Sequence, residues 1–413
     1  MNGWEYLSLA EKHQLVDAIF ARNSNVPGPF HMEMDPTDKC NARCRFCNNQ
    51  NTRADNTLSW EVIRKLWEDG IERGLKSVRL SGGGEPLVHP DILPMLSWLK
   101  DSPLILDNLT TNGIALDGKR MEAVLDAKPR FLMTSLNFPG SDEYRTEMGV
   151  PESAFERVLQ NLENYSMGLW EKGVREECQL IIQFFITPAN VNQPDAFFNV
   201  LDRIQPTAVR FGLISGTGAS TNLSPEALDQ FCRNIEFRAM EARDRYFMMF
   251  ILGPPGNALT QKLYAVEPAD TPEPSLDAYR FCLMPWYSLA VRGSGNVYPC
   301  CMLISDERVQ PLGNVKEQSL REIWEGKAFE RYRNEIRRVM ILGHAAAMSG
   351  KRCRHTTGLC WNPNACDVAS LIGDSESYTR LREAILLARQ SPRAHLAKGI
   401  NRLLQIPAAC FKR

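Results

Sequence analysis

Three cysteines within eight residues, Cys40, Cys44 and Cys47, form a Cys-x3-Cys-x2-Cys run. Three thiolates so close in the chain can ligate three irons of one cubane cluster, whereas an all-protein 4Fe–4S site uses four Cys. The fourth iron is then open to an exogenous ligand, and an iron with an open position can do chemistry. Zinc with a fourth ligand from elsewhere is the alternative, because structural zinc is four-coordinate through Cys and His. The paired cysteines usual for zinc have no companion nearby, and nothing in the spacing of His31 or His89 recommends them. A disulfide account leaves one thiol over.

A second signal lies downstream. Lys76–Ser81 reads as a buried strand, and Gly82-Gly83-Gly84-Glu85-Pro86 follows it. Glycines let the backbone turn sharply and approach a ligand with no Cβ in the way, and consecutive free amides can hold a polar group. Three glycines alone equally suit a plain tight turn. Their place at the C-terminal end of a strand is where α/β proteins build ligand sites.

With these residues the sequence resembles the radical S-adenosylmethionine (SAM) superfamily. The matching features are Cys40, Cys44 and Cys47, aromatic Phe46 before the last Cys, and the Gly-Gly-Glu-Pro stretch Gly83 to Pro86. The resemblance implies a 4Fe–4S cluster on the three Cys, with the amino and carboxylate groups of SAM on the open iron. It implies that Gly82, Gly83, Gly84 and Glu85 hold the methionine amino group and that Phe46 packs near the adenine. It further implies that one electron cleaves the sulfonium to methionine and a 5′-deoxyadenosyl radical, which takes hydrogen from a C–H bond. The protein then positions the cofactors and shields the radical.

The elements that must position these loops follow from the rest of the chain. At 413 residues there is room for two domains, and 44% hydrophobic and 23% charged residues are ordinary globular values. A net charge of −1 gives no electrostatic case for nucleic acid or an anionic membrane. No apolar run reaches the roughly 18 residues of a membrane span, and the N-terminus lacks signal-peptide blocks. The expectation is a cytoplasmic protein whose 12 Cys are ligands more than disulfides.

Residues 4–21 read as an amphipathic helix within an N-terminal segment, 1–28. Over 29–250 strands and helices alternate. The strand candidates are 30–35, 76–81, 103–110, 130–136, 177–186 and 206–213. Helices are expected near 59–73, 89–100, 117–127, 153–172, 193–203 and 225–241. Pro90 and Pro225 suit first helical positions, and Ser153 with Glu156 suits a capping box. Six strand–helix pairs imply a parallel sheet with right-handed crossovers. The superfamily shape that the count matches is a partial (β/α)6 TIM-like barrel with a smaller C-terminal α+β domain. Asn112 and Ser135 close the third and fourth strands, beside Thr111 and Asn137, and resemble the family's contacts to the SAM carboxylate and ribose. Taken singly they also suit turn and capping roles. Gly212 to Gly218 reads as a loop lining the mouth. Residues 251–278, rich in Pro and Gly, read as a connection.

A second cysteine set occupies 279–370, ahead of a helical tail at 371–413. Ser288–Arg292 and Asn296–Tyr298 read as a hairpin around Gly293-Ser-Gly295, with Cys282 and Cys300 at its base. Leu312-Gly-Asn-Val315 precedes a helix at 319–338, and Cys353, Cys360 and Cys366 follow. This resembles the auxiliary cluster domains called SPASM and twitch. Twelve residues separate Cys282 from Gly295 and four separate Gly295 from Cys300, as in their opening signature. Cys353-x6-Cys360-x5-Cys366 departs from the full SPASM pattern. The resemblance implies one auxiliary 4Fe–4S cluster held by four of Cys282, Cys300, Cys353, Cys360 and Cys366. Two incompletely ligated clusters and a zinc site are the alternatives.

The expected function is reductive SAM cleavage and hydrogen abstraction from a small biosynthetic intermediate, such as a sugar, aminocyclitol or nucleoside. The outcome would be dehydrogenation, epimerisation or decarboxylation, with an external electron donor such as flavodoxin or ferredoxin. The short segment before the first strand favours a small molecule over a peptide, and a peptide-modifying maturase is the alternative. Cys178, Cys232, Cys301 and Cys366 are candidate hydrogen-atom donors. The competing class is a non-catalytic iron–sulfur carrier or sensor, against which the intact Gly82–Glu85 loop speaks.

Overall fold

Each strand of the first 250 residues runs into a polar or glycine-rich loop and then an amphipathic helix, and the chain repeats that step. The computed structural model describes residues 6–20, 26–47, 49, 54–214, 223–252, 254–264, 284–303 and 309–342. In chain order the elements begin with α1 (Leu9–Phe20), β1 (His31–Met34), α2 (Trp60–Glu72) and β2 (Ser77–Leu80). Next come α3 (Ile92–Asp101), β3 (Ile105–Thr111), α4 (Gly118–Ala127), β4 (Phe131–Asn137), α5 (Ser141–Met148) and α6 (Ser153–Glu171). They continue with β5 (Gln179–Ile186), α7 (Pro194–Ile204), β6 (Ala208–Leu213), α8 (Pro225–Ala242), β7 (Phe247–Ile251) and α9 (Pro254–Tyr264). The last are α10 (Met284–Tyr287), β8 (Ser288–Val291), β9 (Asn296–Tyr298), β10 (Gly313–Asn314), α11 (Leu320–Trp324) and α12 (Lys327–Leu342).

The described residues fall into two compact units. The larger lies within 34–60 and 78–272, and the smaller within 1–33, 61–77 and 273–413. In the larger unit the strands run side by side in sequence order from β2 to β7, and Ser81 N donates to Met34 O at 2.9 Å. The pairs from β3 to β7 are parallel. Parallel strands need cover on both faces, and β5 shows it: six of its eight residues are buried. The result is a partial, TIM-like α/β barrel.

Register assigns the two faces, because partnered residues of parallel strands point the same way. One face carries Phe184 paired with Phe211, and Phe211 paired with Phe250. Phe197 of α7 and Phe231 of α8 pack edge-on against this face, with Phe211 and Phe250 stacked at 5.0 Å. This is the helix-covered core. The opposite, concave face carries Met133, Ile181 and Ala208 in one row, then Gln183, Arg210 and Met249. Polar residues thus line a face that an ordinary core would fill with hydrocarbon.

In the smaller unit β8 and β9 form the expected hairpin, pairing Ala290 with Tyr298 and Val291 with Val297. Gly295 turns it at φ 92°, and a Cβ there would lie 2.5 Å from Asn314 Oδ1, so only glycine fits. β10 pairs antiparallel with β9. α11 starts with a capping box, Ser319 and Glu322. Arg333 is buried between the Trp324 and Phe329 rings, donating to Pro285 O at 2.8 Å and Trp324 O at 2.7 Å.

The six expected strands are present within a few residues, and a seventh, β7, extends the sheet beyond the six counted from sequence. α5 is a further helix that the sequence reading did not contain. Part of the stretch read as a connection is α9. α3 starts at Ile92, with Pro90 ahead of the cap rather than at the first helical position. α6 is capped by Glu152 with no side-chain bond, so Ser153 and Glu156 do not form a capping box. Ser224 does cap α8, accepting from Ala227 N at 3.2 Å. The helix expected at 319–338 is two, α11 and α12. Among the described residues no helix is long and apolar enough to cross a membrane.

Candidate active site

β1 delivers the chain to the Cys loop, which closes on itself locally. Ala42 N donates to Cys40 Sγ at 3.4 Å, and Cys47 N to Cys44 O at 3.3 Å. All three thiols are half-buried. Among the described residues no three His, Cys, Asp or Glu side chains are gathered to hold a single metal ion. A cubane needs no such gathering, since each thiolate ligates a different iron. Phe46 stands between Phe138 and Phe185, edge-on to both at 5.6 and 5.4 Å.

The glycine loop after β2 lies directly on the backbone that leads into Cys40. Glu85 N donates to Lys39 O at 2.8 Å. A Cβ on Gly84 would meet Lys39 O at 2.0 Å, and one on Gly82 would meet Gly84 O at 1.9 Å. These glycines are therefore required by close approach. Gly83 is buried in the same turn. Asn49 Nδ2 donates to Gly82 O at 3.3 Å and ties the far side of the Cys loop to the turn.

Glu85 is 2% exposed. Its Oε1 accepts from Leu87 N at 3.1 Å and Thr111 Oγ1 at 2.7 Å, and its Oε2 accepts from Asn112 N at 2.6 Å. Burial raises its pKa; the three donors oppose that rise without cancelling it. A cation brought to the free side of Oε2 would favour the carboxylate. Asn112 reaches the other way as well, its Nδ2 donating to Asn41 Oδ1 at 2.7 Å and approaching Cys40 Sγ at 3.8 Å. One residue at the end of β3 thus joins the carboxylate to the Cys loop. Ser135 is half-buried on β4, where the register with β5 shifts between Thr134 and Asn137; such irregularities recur beside active sites.

The structure adds residues that the sequence reading missed. α5 is bonded to the Cys loop through Arg43 N to Met148 O and Arg45 N to Glu147 O. Met148 Sδ receives Cys44 Sγ at 3.6 Å and Asn137 Nδ2 at 3.2 Å. Two buried polar atoms here, Tyr144 Oη and Asn137 Oδ1, have no hydrogen-bond partner among the described residues. Buried polar groups are normally paired, so unused capacity around a three-Cys loop fits a polar cofactor seated there. On the concave face, Arg210 Nε is likewise buried with no hydrogen-bond partner among the described residues. Burial and the like charge of Arg79 depress the Arg210 pKa. Cys178 and Cys232 are buried thiols that burial pushes up to about 11, which suits packing. Of the second set, Cys300 is buried and Cys301 half-buried; Cys282, Cys353, Cys360 and Cys366 lie outside the described residues, as do residues 215–222.

Comparison with known proteins agrees with this geometry. The Radical SAM superfamily model matches residues 34–168, and the SPASM iron-sulfur cluster-binding domain model matches 282–354. A probable GTP 3',8-cyclase of Sulfurisphaera tokodaii is 28% identical over 227 residues, covering 51% of this chain and 67% of that protein. The chain spans about half or less of the other curated relatives' length. The structure of Streptococcus suis SuiB bound to S-adenosylmethionine superposes with a TM-score of 0.54 at 18% identity, over 74% of this chain and 68% of that one. That of anSMEcpe with bound AdoMet and a Cp18Cys peptide superposes with a TM-score of 0.54 at 16% identity, over 90% and 99%. At these identities the likeness is one of fold.

Proposed function

We propose that this chain, an enzyme with a radical SAM domain, a C-terminal SPASM domain and the 4Fe–4S and SAM cofactors they imply, cleaves SAM reductively to abstract hydrogen from an anionic small molecule. Cys40, Cys44 and Cys47 hold the SAM-binding cluster, and Glu85 takes the methionine ammonium on the free side of Oε2. Bound together, cluster and SAM supply a 5′-deoxyadenosyl radical, the electron arriving from an external flavodoxin- or ferredoxin-like donor. The carrying observation is the Glu85–Asn112–Cys40 chain, which fixes the ammonium acceptor against the Cys loop. Gly82 and Gly84 keep that approach close, and Phe46 with Phe138 and Phe185 gives a planar base an apolar wall. Four of Cys282, Cys300, Cys353, Cys360 and Cys366 hold one auxiliary cluster.

The anionic substrate is supported by Arg210, whose Nε is buried on the concave face with no hydrogen-bond partner among the described residues. A buried guanidinium donor is unfavourable until an acceptor joins it. A phosphorylated nucleoside or sugar, or a carboxylated intermediate, brings that anion. Dehydrogenation, epimerisation and decarboxylation are the outcomes open to it. The test is anaerobic reconstitution with dithionite and SAM, followed by quantitation of 5′-deoxyadenosine with GTP, guanosine and an acidic peptide as additions. Phosphate-dependent stimulation supports the reading. Stimulation by the peptide alone would make the chain a maturase, and no 5′-deoxyadenosine from a fully loaded protein would place it among electron carriers.

A further inference from the structure

α5 joins the Cys loop to the end of β5. Its C-terminal turn is bonded to the Cys loop, Arg43 N donating to Met148 O at 2.9 Å and Arg45 N to Glu147 O at 2.8 Å. Gly149 caps the helix at φ 60°, where a Cβ would meet Arg43 O at 2.6 Å. Its N-terminal turn is held by one carboxylate. Glu143 Oε1 accepts from Thr187 Oγ1 at 2.5 Å, and its Oε2 accepts from Asn190 Nδ2 at 3.1 Å. Both donors stand in the turn after β5 and both are buried. The Asn190 amide is pinned in that orientation: its Oδ1 accepts from Thr187 N at 3.0 Å, and its Nδ2 also donates to Phe185 O at 3.0 Å. Phe185 packs edge-on against Phe46 of the Cys loop at 5.4 Å. The contacts therefore close a ring that runs from the Cys loop through α5 and the turn after β5 to Phe185, and back to the Cys loop at Phe46.

We infer that Glu143 is a positioning residue for SAM, latching α5 to the turn after β5 so that Phe185 and Phe46 stand ready as the wall for the adenine. The inference rests on the reading that Phe46 faces that base. Hydrogen bonds to a carboxylate are about twice as strong as neutral ones, which suits a side chain that closes a ring. A wall ordered in advance spares binding the entropy of ordering it, so loss of the latch shows in SAM affinity and not in the turnover of bound SAM. Side-chain chemistry separates a latch from a charge that touches SAM or substrate directly. In Glu143→Gln the amide oxygen accepts from Asn190 Nδ2 and the amide nitrogen donates to Thr187 Oγ1, so the latch survives without the charge. Glu143→Leu removes both bonds.

The experiment uses the full, anaerobically reconstituted chain. SAM binding is measured by equilibrium dialysis with the cluster oxidised, and KM and kcat for SAM cleavage are then measured under dithionite. Glu143→Leu raises the Kd and KM for SAM about tenfold, as expected for losing bonds to a charged group, with iron content and kcat within about twofold of the wild type. Glu143→Gln binds SAM within about twofold of the wild type. If Glu143→Leu fails to load iron, Thr187→Val, which removes one donor and keeps the shape, raises the Kd about threefold. An unchanged Kd in the loaded variant overturns the inference. So does a Glu143→Gln protein that binds as weakly as Glu143→Leu, since the charge and not the latch then carries the effect. A wild-type chain that loads iron and binds no SAM overturns the functional reading first, and this inference with it.

Discussion

Gly84→Ala tests whether the close approach of the two loops matters for chemistry. The added Cβ would stand 2.0 Å from Lys39 O and 2.6 Å from the Asp38 carbonyl carbon. Both are backbone atoms, so no side chain can swing aside. Carbon contacts settle near 3.5 Å, and the two segments must therefore part by more than about 1 Å. That movement takes the 2.8 Å bond from Glu85 N to Lys39 O out of range. Losing it leaves a buried donor unmet, a cost of about 1–3 kcal/mol, which a domain of ordinary stability survives. The functional loss is larger, because Glu85 moves away from Cys40, and a misplacement of about 1 Å costs on the order of 100-fold in rate. The assay is 5′-deoxyadenosine formation under dithionite, with iron content and circular dichroism recorded on the same samples. The variant should fold, carry iron and cleave SAM at roughly one hundredth of the wild-type rate. Gly140→Ala, whose Cβ meets nothing within 4 Å, should cleave at close to the wild-type rate. A folded Gly84→Ala protein with full activity would refute the claim that the two loops act as one cradle.

Three further outcomes follow from named contacts. Arg333→Met removes the donors to Pro285 O and Trp324 O and should cost about 2–5 kcal/mol, read from urea unfolding; a loss below half a kcal/mol would mean the clamp is idle. Burial raises the Glu85 pKa, so on the proposed ammonium contact the carboxyl loses its proton when SAM binds. Affinity should then fall toward tenfold per unit as pH drops below that raised pKa and level off above it. Titrating SAM into the reconstituted protein at several pH values checks this, and a flat profile in the acid range sinks it. Cys282→Ala should lower iron by one cluster while leaving SAM cleavage cofactors at Cys40, Cys44 and Cys47 in place; iron analysis showing no change would remove Cys282 from the auxiliary set.

The local part of this site was legible in the sequence because its spacing is local. Cys40, Cys44 and Cys47 share one loop, and Gly82 to Glu85 share one turn, so residue type and separation alone announce them. The strand count was nearly legible too: β5 and β6 are apolar runs of a length that strands have. β7 was missed because Phe247–Ile251 is a five-residue apolar run directly after a helix, and periodicity cannot separate such a run from the helix's own continuation. α5 was missed for the opposite reason. Its sequence Ser-Asp-Glu-Tyr-Arg-Thr-Glu-Met is polar apart from Tyr144 and Met148, and one apolar pair does not make a stripe.

What no spacing could announce is a relation carried by register. Asn112 lies 72 residues from Cys40 in the chain, and the sheet order that sets β3 beside β2 is what returns it there. Nothing in the sequence sets Arg210 apart from the chain's other charges. Register does: Arg210 pairs with Gln183 and Met249 on the face opposite the Phe211 core. The same holds for Tyr144, an ordinary aromatic on an unremarked helix until Arg43 and Arg45 bond α5 to the Cys loop. Chemistry that the cofactors supply is therefore written in short motifs. Asn112 and Arg210 meet their neighbours only in the folded sheet, which is why the resemblance was readable from this chain and the substrate was not.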